Sequence, residues 1–296
     1  MKTRLKIVGS LLALATTPSL LFAQAHYVPG VEGVKGASLP PTGFYVRDYN
    51  VFYFANQVND PSGHKLPLDF DAFIYANLIR PIWITEWKVL GANVGMDMIV
   101  PLQNTDLSIK ANGATSFDDS KFGIGDLYFE PLTLSWHGKQ YDAAFGYSFF
   151  APTASTKSPV DSGKGFWTQM LTLGGTAYFD EAKTWSLSAL NRYEFNSEYR
   201  DSGLTPGQVW TLEWGLGKSL SKTIEIGVCG YYQLQTTKDS GAGASSARDQ
   251  VVGIGPEIVA FCPKLGLFTS LRYAYEFAAK DRPEGNTIAL TLTRRF

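Results

Sequence analysis

Three histidines, two cysteines and a scatter of acids on strand-like segments are what this chain offers for chemistry. A hydroxyl becomes a nucleophile only beside a base. His26 lies in a Pro/Gly-rich stretch, His64 in a loop and His137 in a tight turn, none on a strand beside a suitably facing serine. No His or Cys pair has metal-ligand spacing, and no G-x-x-x-x-G-K phosphate loop occurs. Gly123-Ile124-Gly125 is a weak glycine repeat that suits the opening of a strand. The residues therefore argue against an enzyme and imply no metal or other cofactor. An acidic pair is the one remaining route to acid–base work.

The polar residues are more informative. Asp71, Asn77, Asp97, Asp126, Glu130, Arg192, Glu194, Glu213, Glu225, Glu257, Arg272 and Glu276 fall on the polar parity of strand-like segments. A period of two puts alternate residues on opposite faces of a strand. Around Trp185, for example, Trp185, Leu187, Ala189, Tyr193 and Phe195 share one face, with Ser186, Ser188, Arg192 and Glu194 on the other. Lipid requires the first kind of face and a wet lumen tolerates the second.

Twelve such segments are expected: roughly 44–57, 67–83, 86–101, 122–136, 140–152, 166–179, 183–197, 208–219, 223–236, 250–261, 265–279 and 286–296. Tight connections near Thr85 and at 137–139, 180–182, 220–222 and 262–264 alternate with longer ones rich in turn formers, such as 102–121, 153–165 and 237–249. This alternation describes an all-β, up-and-down antiparallel transmembrane barrel with short periplasmic turns and longer extracellular loops. Trp83, Trp87, Trp136 and Trp185 all sit by short connections, as an interfacial belt would. The last strand, Asn286 to Phe296, ends on an aromatic residue, the form by which outer-membrane barrels usually engage the assembly machinery. It should pair with both the eleventh strand and the first. Two places disturb the pattern: the parity changes at Glu130-Pro131, where a bulge would restore it, and Pro256 sits inside a strand. The first strand carries aromatics on both parities.

Lys2, Arg4 and Lys6 precede an apolar run and Ala23-Gln24-Ala25, the pattern of a cleavable export signal over 1–25. Residues 26–43, with three prolines and four glycines, form a leader that is either a plug folded into the lumen or a loose periplasmic arm. The barrel proper is 44–296. A net charge of −1 gives no case for nucleic acid. Cys229 and Cys262 should be free thiols, because Cys229 is expected opposite a residue near Glu257.

Four segments carry a resemblance: Y-V-P-G-V-E-G-V-K-G-A-S-L-P-P-T-G-F-Y at Tyr27–Tyr45, N-L-I-R-P-I-W-I-T at Asn77–Thr85, G-I-G-D-L-Y-F-E-P-L-T-L-S-W at Gly123–Trp136 and G-I-G-P-E-I-V at Gly253–Val259. With the C-terminal strand they span the chain after the signal. In these the sequence resembles the outer-membrane channel-like proteins named after the MetA pathway of phenol degradation, also called the SphA family. The resemblance implies a Gram-negative outer-membrane barrel that passes small hydrophobic, aromatic or lipid-like compounds, with lipid and solute as partners. It supplies no binding residues. The polar strand residues leave two readings open: a salt-bridge ladder filling a narrow lumen with Arg192 and Arg272 as hubs, or a lining for neutral or cationic solutes. A closed structural or adhesive barrel and a membrane-embedded lipid hydrolase are the alternatives to a channel.

Overall fold

The computed structural model describes residues 25–111, 114–200 and 202–296. The expected export signal lies almost wholly outside these. Among the described residues there is no helix. The strands are β1 (Gly43–Asn59), β2 (Asp69–Val89), β3 (Ala92–Ala111), β4 (Ala114–Ile124), β5 (Leu127–His137), β6 (Tyr141–Ala151), β7 (Thr168–Tyr178), β8 (Trp185–Asn196), β9 (Leu204–Thr205), β10 (Val209–Ser219), β11 (Ile224–Gln235), β12 (Ser240–Gly241), β13 (Gln250–Cys262), β14 (Leu267–Lys280) and β15 (Arg282–Arg295).

They form a closed antiparallel barrel of twelve staves. β4 and β5 make one interrupted stave, each pairing with β3. The two-residue strands β9 and β12 pair only with each other, outside the main sheet. Closure is as the sequence requires: β15 pairs with β14 and β1, with Val51 opposite Ala289 and Tyr45 opposite Arg295. The Phe296 amide donates to the Phe44 carbonyl at 2.9 Å. Full closure satisfies every edge, the condition for crossing a bilayer with strands.

The expected loop at 102–121 is instead a β-hairpin. β3 continues to Ala111 and β4 returns along it, so the pair projects past the wall. The stave breaks at Gly125-Asp126, where the Gly125 amide turns to the Pro101 carbonyl. The first tight turn falls at Leu90-Gly91, both at positive φ (53° and 80°), rather than near Thr85. A register shift between Ile84 and Lys88 carries the longer strand past that point. The parity change at Glu130-Pro131 is a bulge, with the register shifting between Phe129 and Leu132. Pro256 needs none: β13 stays in register through it, and its irregularity lies between Gln250 and Val252. Both cysteines are free, with Cys229 opposite Gly255.

The outer face is apolar, with Ile79, Leu173, Leu187, Val228, Ile258 and Leu271 exposed along its middle. Trp83, Trp87 and Trp185 are exposed near the short turns. The inner face of β5–β8, β10, β11, β13 and β14 is charged and hydroxylic, whereas that of β1–β3 is largely apolar.

Candidate functional site

Inside the barrel the wall carboxylates meet the leader. Residues 25–42 climb from the short-turn end at Gly43 to the outer-loop ends of β5–β8. At the bottom, the Ser38 hydroxyl donates to Asp142 Oδ2 (2.8 Å), the Ala37 amide to Ser188 Oγ (3.1 Å), and Lys35 pairs with Glu225 (2.8 Å). Higher up, the Val34 amide donates to Glu257 Oε2 at 2.5 Å and the Gly30 amide to Glu213 Oε1 at 2.8 Å. Near the top, the His26 and Tyr27 amides both donate to Glu194 Oε1, at 2.9 and 3.0 Å. A Pro/Gly-rich chain makes few backbone bonds to itself, so its buried amides need external acceptors. The wall acids provide them.

Glu32 is the centre of this arrangement. Its carboxylate lies 3.2 Å from Arg80, 3.3 Å from Arg47 and 3.5 Å from Arg192, and accepts from the Tyr49 hydroxyl. Burial alone would raise its pKa. The guanidiniums of Arg47, Arg80, Arg192 and Arg272 outweigh that and hold it at about 2. Arg80 also makes a two-pronged contact with Asp97 (2.8 Å to each oxygen) and reaches Glu130 at 3.3 Å. Arg192 pairs with Glu213 (2.6 Å) and lies over the Tyr27 ring. Arg272 pairs with Glu257 (2.8 Å) and donates to the Val31 carbonyl (2.6 Å).

Of the twelve polar candidates, Asp97, Asp126, Glu130, Arg192, Glu194, Glu213, Glu225, Glu257, Arg272 and Glu276 lie on the inside. Asp71 and Asn77 do not, and this corrects their expected placement. On β2 the inner parity is that of Phe70, Ala72 and Arg80, all buried, so Asp71 and Asn77 point outward. Asp71 is exposed near the outer-loop end. Asn77 donates to Asp48 Oδ1 (2.5 Å) and Asn50 Oδ1 (3.2 Å), both on the outer face of β1. The polarity of β2 is inverted because its inner face borders an apolar cavity.

That cavity, of about 610 Å³, lies between the leader and β1–β3. Val51, Tyr53, Ile74, Leu78, Ile99 and Pro101 line its wall, and Tyr27, Val28 and Val31 its leader side. It extends from Arg80 at mid-height to Pro159, Ser202 and Gly243 in the outer loops. The loop between β6 and β7 is drawn over the rim by Asp126, which accepts the Ala154 and Lys164 amides at 2.8 and 2.7 Å.

Sequence reasoning missed Glu32, Arg47, Arg80, Arg282, Tyr27 and His26. Arg47 and Arg80 lie on the inner parity of β1 and β2, a signal blurred by their neighbours. Glu32 has no local signature. His26, placed by the sequence in the leader and away from any strand serine, has Nδ1 2.6 Å from Thr168 Oγ1 and Nε2 3.1 Å from Asp126, and its ring stacks on Phe150. This has the outline of a Thr-His-Asp series. The Thr168 hydroxyl donates to Asn196 Oδ1 (2.6 Å) and the residue is wholly buried, so the set serves to hold the leader.

A closed twelve-stave antiparallel wall, apolar outside and charged within, defines an outer-membrane β-barrel. The chain belongs to the family described as "MetA-pathway of phenol degradation", whose model matches residues 55–292. Among solved structures it is similar to the COG4313 outer membrane channel from Pseudomonas putida F1, at TM-score 0.77 and 13% identity over 92% of this chain and 100% of that one. The β domain of the Bordetella autotransporter BrkA is similar at TM-score 0.50 and 14% identity, over 87% and 100%. No curated protein sequence matches the chain.

Proposed function

We propose that the chain is an outer-membrane channel for small hydrophobic or aromatic compounds, closed at mid-height by its own leader. The apolar cavity carries this reading. A polar lumen would wet a passage for ions or sugars, whereas a half-apolar one offers burial to an aromatic ring. A solute enters between the outer loops, partitions onto Leu78 and Ile99, and rests above the Glu32–arginine knot. Passage onward requires the leader to shift. The similar Pseudomonas putida protein is itself described as an outer membrane channel, which agrees with this reading. The work is transport rather than catalysis, since the histidine best placed for chemistry is engaged in docking. The strand ending in Phe296 is the segment we assign to recognition by the assembly machinery.

The test is flux through proteoliposomes and planar bilayers, comparing phenol-sized aromatics with sugars of similar size. The intact barrel is expected to pass aromatics in preference, and removal of residues 26–41 to raise conductance. Absence of flux and of conductance in both forms would sink the channel and favour a closed structural barrel.

A further inference from the structure

Glu194 is wholly buried near the outer-loop end of β8. One of its oxygens accepts two leader amides, His26 N at 2.9 Å and Tyr27 N at 3.0 Å. The other, Oε2, is buried and has no hydrogen-bond partner among the described residues. A buried carboxylate with an idle oxygen calls for a further donor, preferably a cation. The cations near it are Lys164 and Arg192, and Arg192 is already engaged by Glu213 and Glu32.

His26 directly follows Ala23-Gln24-Ala25, a small-x-small export cleavage pattern. Its ring is fixed by Asp126, Thr168 and Phe150, so its main-chain nitrogen has a set position. Ala25 lines the cavity. We propose that Glu194 is the docking site for the α-ammonium created when the Ala25–His26 bond is cleaved. A signal peptidase of the export route would add water across that amide. The acyl carbon takes the hydroxyl as the Ala25 carboxylate, and the nitrogen leaves as the His26 ammonium. One N–H then becomes three donors and a positive charge, enough to keep Oε1 and reach Oε2. The direction of the leader makes processing a precondition. Residues 42 to 26 rise from the short-turn side to the outer-loop side, so the free end must be threaded up the lumen. An uncleaved chain cannot place His26 there without carrying its signal through the barrel. The site thus favours the processed protein over the precursor, whether or not the barrel conducts.

Intact mass of the protein from outer membranes should give a chain starting at His26. In the folded barrel the α-amine should react with an N-hydroxysuccinimide ester at least tenfold more slowly than in the denatured chain, scored on the N-terminal peptide. Glu194→Gln should remove that protection. A start at another residue, equal labelling of folded and denatured wild type, or full protection in a folded Glu194→Gln barrel would each overturn the proposal. The wild-type arms need no variant, so a Glu194→Gln chain that fails to assemble leaves the test intact.

Discussion

Glu32 joins three arginines from two sides of the barrel, Arg47 and Arg80 on β1 and β2 and Arg192 on β8. Removing one partner of a buried ionic group leaves the others unpaired in a weakly screened interior. Glu32→Gln should therefore loosen the leader, seen as faster proteolysis within residues 26–41 and a raised mean conductance. Acid should do the same. The carboxyl is held at about 2 against an ordinary 4.5, so its stabilisation is present above about 4.5 and is lost as pH falls toward about 2. A conductance independent of pH across that window, in a barrel that stays folded, would contradict this.

Element geometry decides whether the leader can reach these partners. β10 and β11 place Gly215 and Gly227 where the leader passes, and a Cβ on Gly215 would collide with the Val34 backbone. Gly33 is equally confined, since a Cβ there would meet the Glu257 carboxylate. Gly215→Val should unseat the leader at a cost of about 1–3 kcal/mol, the usual range for overpacking. In a chain lacking residues 26–41 the same substitution should be silent in unfolding midpoint. Equal destabilisation in both backgrounds would place the effect in the wall instead. β1 and β2 show why faces can mislead. Phe52 and Phe54 of β1 face outward and Val51 and Tyr53 face the cavity, so both parities read as apolar.

For the whole molecule, the lumen has two sides. Charges and leader occupy one, and the apolar cavity runs along β1–β3 on the other. A probe such as a naphthalene derivative should bind there. Leu78→Asn should weaken it about tenfold, as loss of one aliphatic contact does. An unchanged affinity in a folded variant would move the binding site elsewhere.

The sequence by itself determined the wall. Lipid imposes one apolar parity on each strand, and hairpin connections are local. Leu187 and Phe195 therefore announced their face, and the alternation of loop lengths announced the barrel and its closure through β15 on β1. Only the tertiary structure decided the interior. Glu32 meets Arg47, Arg80 and Arg192 across as few as 15 and as many as 160 residues of chain, and no periodicity encodes such contacts. It also decided that Asn77 faces outward, bonded to Asp48, because a strand between lipid and an apolar cavity has no polar side to mark its lumen. The bulge at Glu130-Pro131 was legible, since a parity change within a strand has one cheap remedy. The break at Gly125-Asp126 was not, because it is made by Asp126 turning inward to a loop and to His26.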